Sequence, residues 1–135
     1  MADENRFLLT IDTDWAPDWM IAEMAETLVE AGVPVTWFVT HDSPVLRDLA
    51  SEPLFEMGIH PNLLPGSSHG ANVWDVVGHM KDLVPSAVTV RTHCLFQSER
   101  HSQALVEDFG LEIDCSILLM GARKPLPRDR FIVPP

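Results

Sequence analysis

Two aspartates, Asp12 and Asp14, lie two residues apart where a short apolar segment of the sequence ends. On an extended chain, side chains at this spacing project from the same side and lie within a few ångström of each other. Two carboxylates this close repel each other unless one holds a proton or a cation lies between them. The pair therefore predicts a cation site, and the alternative is that Asp14 simply caps the helix that follows.

Basic side chains stand at similar places farther along the chain. His60 ends another apolar segment just before a proline, and Arg91 and His93 repeat the two-residue spacing of the aspartates. An arginine in a half-buried apolar strand needs an anion, and Asp12 is the natural partner for Arg91. We expect His60 to be functional rather than a packed core or surface residue, whereas His93 is either a ligand or a group that hydrogen-bonds to one.

Three further polar residues are weaker candidates for the same site. His41 and Asn62 follow predicted strands, and His69 lies in a glycine-rich loop. His79 and His101 fall within predicted helices, where we expect them to be solvated. A mixed set of carboxylates and imidazoles with one open position suits zinc, or another borderline divalent ion, that activates water. The sequence therefore indicates hydrolytic chemistry.

Other catalytic and structural motifs are not apparent. The Gly-Ser-Ser-His-Gly segment at residues 66–70 lacks the lysine and the strand-to-helix placement of a phosphate-binding loop. The two cysteines, Cys94 and Cys115, do not have C-x-x-C spacing. We therefore expect neither a zinc finger nor a disulfide, and we place both thiols in the core.

The candidate residues depend on elements that deliver them to one place. Short apolar runs predict strands over residues 7–11, 33–40, 55–60, 87–96 and 111–120. Amphipathic stretches with proline or glycine at their ends predict helices over residues 17–31, 44–50, 73–84 and 99–109. Between the third strand and the third helix, residues 61–71 predict a loop, and residues 131–133 could start a sixth strand.

This alternation of strands and helices is typical of an α/β fold with parallel strands. In such folds the ligand site lies beyond the carboxyl ends of the strands. Nearly every predicted strand ends in a carboxylate, an imidazole or a guanidinium, so the candidate residues are expected to converge on one edge of the sheet.

Composition narrows the classes of function. With 135 residues, 46% of them hydrophobic, the chain can bury a core, and we expect a single domain over residues 1–135. Nine basic and twenty acidic residues give a net charge of −11, which disfavours nucleic acid and anionic lipid as partners. The sequence lacks an apolar run long enough for membrane insertion, and its acidic N-terminus is unlike a secretory signal, which favours a cytoplasmic protein.

Four segments resemble, in order, the motifs of NodB-homology polysaccharide deacetylases. They are Thr10–Asp14 on the first strand, Val35–Thr40 on the second, Glu56–His60 on the third and Val90–Arg91 on the fourth. The Gly-Ile-His-Pro-Asn, Gly-Ser-Ser-His-Gly and Arg-Thr-His segments are most similar to a divergent branch associated with surface-polysaccharide biosynthesis. The resemblance, over roughly residues 6–120, implies an incomplete distorted (β/α)7-type barrel with about five to six strands.

The resemblance also implies a metal-dependent deacetylase, in which an activated water attacks the acetyl carbonyl of a carbohydrate substrate. Asp12 would be the general base, and Arg91 would orient it and keep it ionised. Asp14 and His60 would hold the metal ion, which we expect to be zinc.

The sequence departs from the family pattern in two places. The family has a second histidine four residues after the first, but this position is Leu64. We therefore expect the third ligand to be His93 rather than His69. The general-acid histidine of the family comes from a late strand, beyond the matching part of this chain.

Two other functional interpretations stay open. The Asp12–Asp14 segment is also similar to the first motif of haloacid-dehalogenase-type phosphatases, with Thr40 as the hydroxyl of the second strand. Those enzymes need a lysine and a late acidic pair, but Lys81 falls in a helix, Lys124 in the tail and Asp114 stands alone. The other interpretation is a catalytically incomplete domain that binds a carbohydrate or a metal ion.

Chain length leaves the architecture open as well. Five βα units would also suit an open flavodoxin-like sheet. Each predicted unit takes about 26 residues, so a barrel of seven or eight units needs about 180 to 210 residues. We expect either a truncated barrel, which we favour, or an open edge that a second copy covers in a homo-oligomer.

Overall fold

The computed structural model describes residues 8–117, which form a sheet of five parallel strands with helices in the connections. The elements in chain order are β1 (Leu9–Asp12), α1 (Asp18–Glu30), β2 (Val35–Val39), α2 (Pro44–Leu49), β3 (Phe55–Ile59), α3 (Val73–Leu83), β4 (Thr89–Val90), a 3-10 turn (His93–Leu95), α4 (Glu99–Glu107) and β5 (Ile113–Asp114). The predicted α/β class is confirmed. Residue 7, residues 118–120 of the predicted fifth strand and the predicted sixth strand lie outside the described residues. Among the described helices, none has the length and apolar character needed to cross a bilayer.

Local sequence determines where each helix begins. Pro17 precedes α1 with φ −68° and ψ 150°, since the fixed φ of proline suits the start of a helix. The side chains of Ser43, Asn72 and Ser98 accept hydrogen bonds from backbone N–H groups in the first turns of α2, α3 and α4. The four predicted helices are confirmed, with ends that differ by one or two residues at most.

The strands pair in the order β1-β2-β3-β4-β5, each parallel to its neighbour. A flavodoxin-like sheet has the order 2-1-3-4-5, so that architecture is wrong for this chain. Right-handed connections between sequential parallel strands place the helices on one face of the sheet. The other face becomes the inner wall of an incomplete barrel, as the family resemblance implied.

One hydrogen bond shows how strongly the sheet curls. Arg91 follows β4, yet its Nη1 donates to Asp12 Oδ1 at the end of β1 over 2.9 Å. Two strands lie between them, and in a flat sheet the backbones would be about 14 Å apart. Because side chains stand roughly perpendicular to a sheet, the two could not meet across a flat one. The curl therefore gathers the carboxyl ends of the strands into a common space.

The apolar core lies between the sheet and its helices. Trp37, Ile59 and Val90 on the strands meet Ile21 and Met80 on the helices, and all five side chains are at most 2% exposed. Because side chains alternate along a strand, burial of one set against the helices directs the other set towards the opposite face of the sheet.

The inner wall is mostly polar, and the aromatic ring of Phe38 lies within it. Gly58 on the neighbouring strand makes room for this ring: a Cβ atom there would come within 2.9 Å of Phe38 and 2.5 Å of Thr89 Oγ1. The guanidinium of Arg91 lies 4.5 Å from the centre of the Phe38 ring. The glycine therefore supports the arginine through the phenylalanine between them.

The fourth strand is shorter than the prediction over residues 87–96. Thr89–Val90 pairs in the sheet, and the chain then enters a turn in which Cys94 has φ 57° and Leu95 has φ 53°. The prediction that both cysteines lie in the core is also wrong, since Cys94 is exposed and Cys115 is half-buried. The turn exposes the thiol of Cys94 because it carries the chain away from the sheet.

Candidate active site

Side chains beyond the carboxyl ends of the strands line a cavity of about 520 Å³. Its wall includes the five main candidates from the sequence, Asp12, Asp14, His60, Arg91 and His93. The structure therefore brings these residues together, and their separate contacts indicate what each can do.

Asp14, His60 and His93 form a group whose ligand atoms all lie within 4.8 Å of one another. Asp14 Oδ1 is 3.4 Å from His60 Nε2 and 3.2 Å from His93 Nδ1. A tetrahedral ion with bonds of 2.0–2.1 Å separates its ligands by about 3.3 Å, so these distances fit a divalent ion. Within the described residues, the buried His93 Nδ1 has no hydrogen-bond partner, as expected of an atom that serves as a ligand.

His60 is oriented so that one ring nitrogen faces the group. Its Nδ1 donates to the backbone carbonyl of Arg91 over 2.6 Å, which leaves Nε2 with the free lone pair. The residue is 2% exposed, and burial lowers the pKa of His60 despite the opposing charge of Asp12. The neutral imidazole that burial favours is the form that binds a metal ion.

Asp12 is held by a guanidinium on one side and faces the group on the other. Arg91 donates to Asp12 Oδ1, and its second terminal nitrogen donates to Thr10 Oγ1 over 2.9 Å. The remaining oxygen, Asp12 Oδ2, lies 3.9 Å from His60 Nε2. Asp12 therefore has a fixed orientation and an oxygen next to the ligand group that Arg91 does not occupy.

Asp14 reaches the group from a turn rather than from an extended strand. Asp14 has φ 41° and Trp15 has φ 59°, values that cost about 1–3 kcal/mol for each non-glycine residue. The N–H of Trp15 donates to Thr40 Oγ1 over 3.0 Å, and the N–H of Thr40 donates to Thr13 Oγ1 over 3.0 Å. These bonds hold the turn that presents the carboxylate. The prediction of an extended pair is wrong, and so is the helix cap, since the N-cap of α1 is Pro17.

The second turn has a similar role for His93. The prediction placed Arg91 and His93 on alternate positions of one strand, but both lie beyond β4, and His93 begins the 3-10 turn. The N–H of His93 donates to the carbonyl of Pro61 over 2.9 Å, which ties this turn to the loop after β3. Two loops are therefore needed to place His93 against His60.

The weaker candidates lie outside the ligand group. His69 is buried, and its Nδ1 accepts a hydrogen bond from the N–H of Asn62 over 3.1 Å. Asn62 Oδ1 in turn accepts from the N–H of Leu64, so both residues shape the loop after β3. Burial and the imidazole of His79 lower the pKa of His69. His41 Nδ1 hydrogen-bonds with Thr40 Oγ1 over 2.9 Å.

The histidines that were predicted to be solvated differ from each other. His79 is exposed on α3, as expected. His101 on α4 is half-buried, since its ring packs against Phe96 with the centroids 5.2 Å apart, and burial lowers the pKa of His101. The apolar stripe of α4 turns this histidine inward.

Sequence reasoning missed the residues that position the site. Thr10, Thr13 and Thr40 hold Arg91 and the turn at Asp14, and the ring of Trp15 packs 5.3 Å from that of His93. A threonine in a β-branched run looks like an ordinary strand residue, so spacing does not reveal these bonds. Thr10 and Thr40 both lie within the segments that resemble the strand motifs of the family.

The sequence matches the family model described as WbmS-like polysaccharide deacetylase over residues 9–131. The search of curated proteins found no significant match. One solved structure is similar: a putative polysaccharide deacetylase involved in O-antigen biosynthesis, WbmS, from Bordetella bronchiseptica. It is 36% identical with a TM-score of 0.77, and the match covers 86% of this chain and 48% of that one. The chain thus spans about half the length of that structure.

Proposed function

The chain belongs to the WbmS-like polysaccharide deacetylase family, and on that premise we propose that it removes acetyl groups from a carbohydrate by metal-dependent hydrolysis. The observation that carries the proposal is the group of Asp14, His60 and His93 beside a carboxylate that Arg91 holds in place. Three ligands that leave a position open, next to a fixed carboxylate, are the groups that activate water in metal-dependent hydrolysis.

Zinc is the ion that we propose for this group. One carboxylate and two imidazoles match the three protein ligands of catalytic zinc sites, which keep a fourth position open. When bound, the ion would polarise the acetyl carbonyl and lower the pKa of water in the open position. Asp14 and the two histidines would hold it, and His60 would remain in the correct tautomer through its bond to the Arg91 carbonyl.

Asp12 is the proposed general base. Its Oδ1 is taken by Arg91, whereas Oδ2 faces the ligand group at 3.9 Å from His60 Nε2. Oδ2 would therefore accept the proton of the attacking water. Arg91 would compensate the negative charge of Asp12 and prevent its rotation, because two other donations anchor the guanidinium to Thr10 and to the Cys115 carbonyl.

The contacts of the structure do not favour a phosphatase. Lys81 Nζ donates to the carbonyl of Ala87 over 2.8 Å, at the amino-terminal end of β4, opposite the ligand group. Asp114 accepts from the N–H of Ser116, and Thr40 Oγ1 is engaged with Trp15 and His41. Lys124 lies outside the described residues. The phosphatase interpretation also assigns no role to His60 and Arg91.

The experiment that tests the proposal is acetate release from acetylated oligosaccharides by the zinc-loaded protein. We expect release that Asp12→Asn reduces by about 10²- to 10⁴-fold, while zinc affinity stays within about threefold, because the base is lost and the ligands remain. Asp42→Asn, an exposed aspartate paired with Arg47 on the surface, is the matched control. Release of phosphate from magnesium-loaded protein, with no acetate release, would contradict the proposal, and zinc binding without turnover would indicate a binding domain.

A further inference from the structure

Two turns at the site share an unusual backbone. Within residues 8–117, the non-glycine residues with positive φ are Asp14, Trp15, Cys94 and Leu95. They form two consecutive pairs: the first contains Asp14 of the ligand group, and the second directly follows His93. Each pair includes one residue with a large apolar side chain, Trp15 in the first pair and Leu95 in the second.

Polar contacts brace both turns from inside the protein. Thr40 holds the first through the N–H of Trp15. Thr92, which is 1% exposed, holds the second: its carbonyl accepts from the N–H of Leu95 over 2.9 Å, and its own N–H donates to Ser116 Oγ over 2.8 Å. The left-handed backbone is therefore an organised feature of the fold.

What these turns present is apolar surface at the rim of a charged site. Trp15 is 41% exposed and Leu95 is 49% exposed. Leu95 lines the same cavity as Asp12 and Arg91, and the rings of Trp15 and His93 form a T-shaped pair with an interplanar angle of 79°. Each of these strained turns holds an apolar side chain partly in water beside the ligand group, which points to a use in binding.

We propose that Trp15 and Leu95 are substrate-contacting residues, which rests on the deacetylase function proposed above. The indole face of Trp15 stacks on the apolar C–H face of the sugar ring, in the way that aromatic rings accept C–H groups. Leu95 contacts the methyl of the acetyl group, directing its carbonyl towards the ligand group. The two turns therefore set both the sugar and the acyl group that the site accepts.

Binding of defined probes separates the two roles. We would titrate N,N′,N″-triacetylchitotriose and fully deacetylated chitotriose into the full chain with Asp12→Asn, so that the acetylated probe is not consumed. Trp15→Leu should weaken both probes by about tenfold, because the ring face is common to them. Leu95→Ala should weaken the acetylated probe by about threefold or more and leave the deacetylated probe unchanged.

Matched controls come from the outer helix α1. Trp19 is 64% exposed and Met24 is 47% exposed, both on α1. Trp19→Leu and Met24→Ala should leave both affinities unchanged, since they remove comparable apolar surface from residues that neither line the cavity nor belong to the two turns.

Several outcomes would overturn the inference. These are equal binding by Trp15→Leu and the parent, loss of both probes in Leu95→Ala, or no binding of either probe by the parent. A change in zinc affinity above about threefold in Trp15→Leu would mean that the ring acts by holding His93 in position and not by contacting the substrate. Acetate release by the protein with native Asp12 is measured in parallel, so failure of the deacetylase proposal is scored separately.

Discussion

The two halves of the sheet are built differently. β1, β2 and β3 pair through four or five residues each, whereas β4 and β5 are two residues long and β3 meets β4 through the single pair of Ile59 and Val90. Asp12 and His60 belong to the long-paired half, while Arg91 and His93 belong to the other. One half of the site therefore rests on long strand pairing, whereas the other rests on short strands, a turn and single contacts such as the bond from the His93 N–H to the Pro61 carbonyl.

Arg91 joins the two halves. Its side chain reaches back to Thr10 and Asp12, and its carbonyl orients His60. Its guanidinium also packs on the ring of Phe38 from β2. A site divided in this way depends on Arg91 to hold its two halves together.

The largest effect is expected from the ligands of each half. His60→Ala and His93→Ala should each weaken zinc binding by at least about 100-fold, because one of three ligands is lost. His79→Ala, which removes an exposed histidine of α3, should bind zinc as the parent does. Competition with a chromophoric chelator measures the affinities, and circular dichroism checks the fold. Unchanged zinc affinity in His93→Ala would leave that residue as a hydrogen-bonding neighbour of the ligands.

The next largest effect is a change in the free energy of unfolding, at the place where Gly58 packs against Phe38. Gly58→Ala should lower the free energy of unfolding by about 1–3 kcal/mol, because its Cβ would collide with Phe38 and Thr89. Gly78→Ala on α3 is the matched control: no atom lies within 4 Å of its added Cβ, and it should raise stability by about 0.5–1 kcal/mol. Urea unfolding monitors both, and equal effects would contradict the packing described for Phe38.

The smallest effect is expected at the turn that holds Asp14. Thr40→Val keeps the side-chain shape but removes the acceptor of the Trp15 N–H, so zinc affinity should fall by about tenfold. Thr27→Val, on the exposed side of α1, should leave it unchanged. A Thr40→Val protein with parental zinc affinity would show that the turn keeps its shape without this bond.

The same division explains what could be predicted from the sequence. Apolar periodicity and caps predicted the long strands, the helices and the convergence of Asp12, Asp14, His60, Arg91 and His93. The turns could not be predicted, because their backbone depends on Thr40 and on Thr92, whose partner Ser116 is distant in sequence. The spacing argument for Asp14 brought it to the right place through an extended backbone that the structure does not have.

The zinc site is tested most directly by an anomalous difference map at the zinc edge from crystals of the zinc-loaded protein. We expect a peak at bonding distance, about 2.0–2.2 Å, from a carboxylate oxygen of Asp14, from His60 Nε2 and from His93 Nδ1. Asp12 should lie beyond bonding distance from the peak with its bond to Arg91 intact. A fully zinc-loaded protein whose peak lies away from these three residues would show that Asp14, His60 and His93 do not form the metal site.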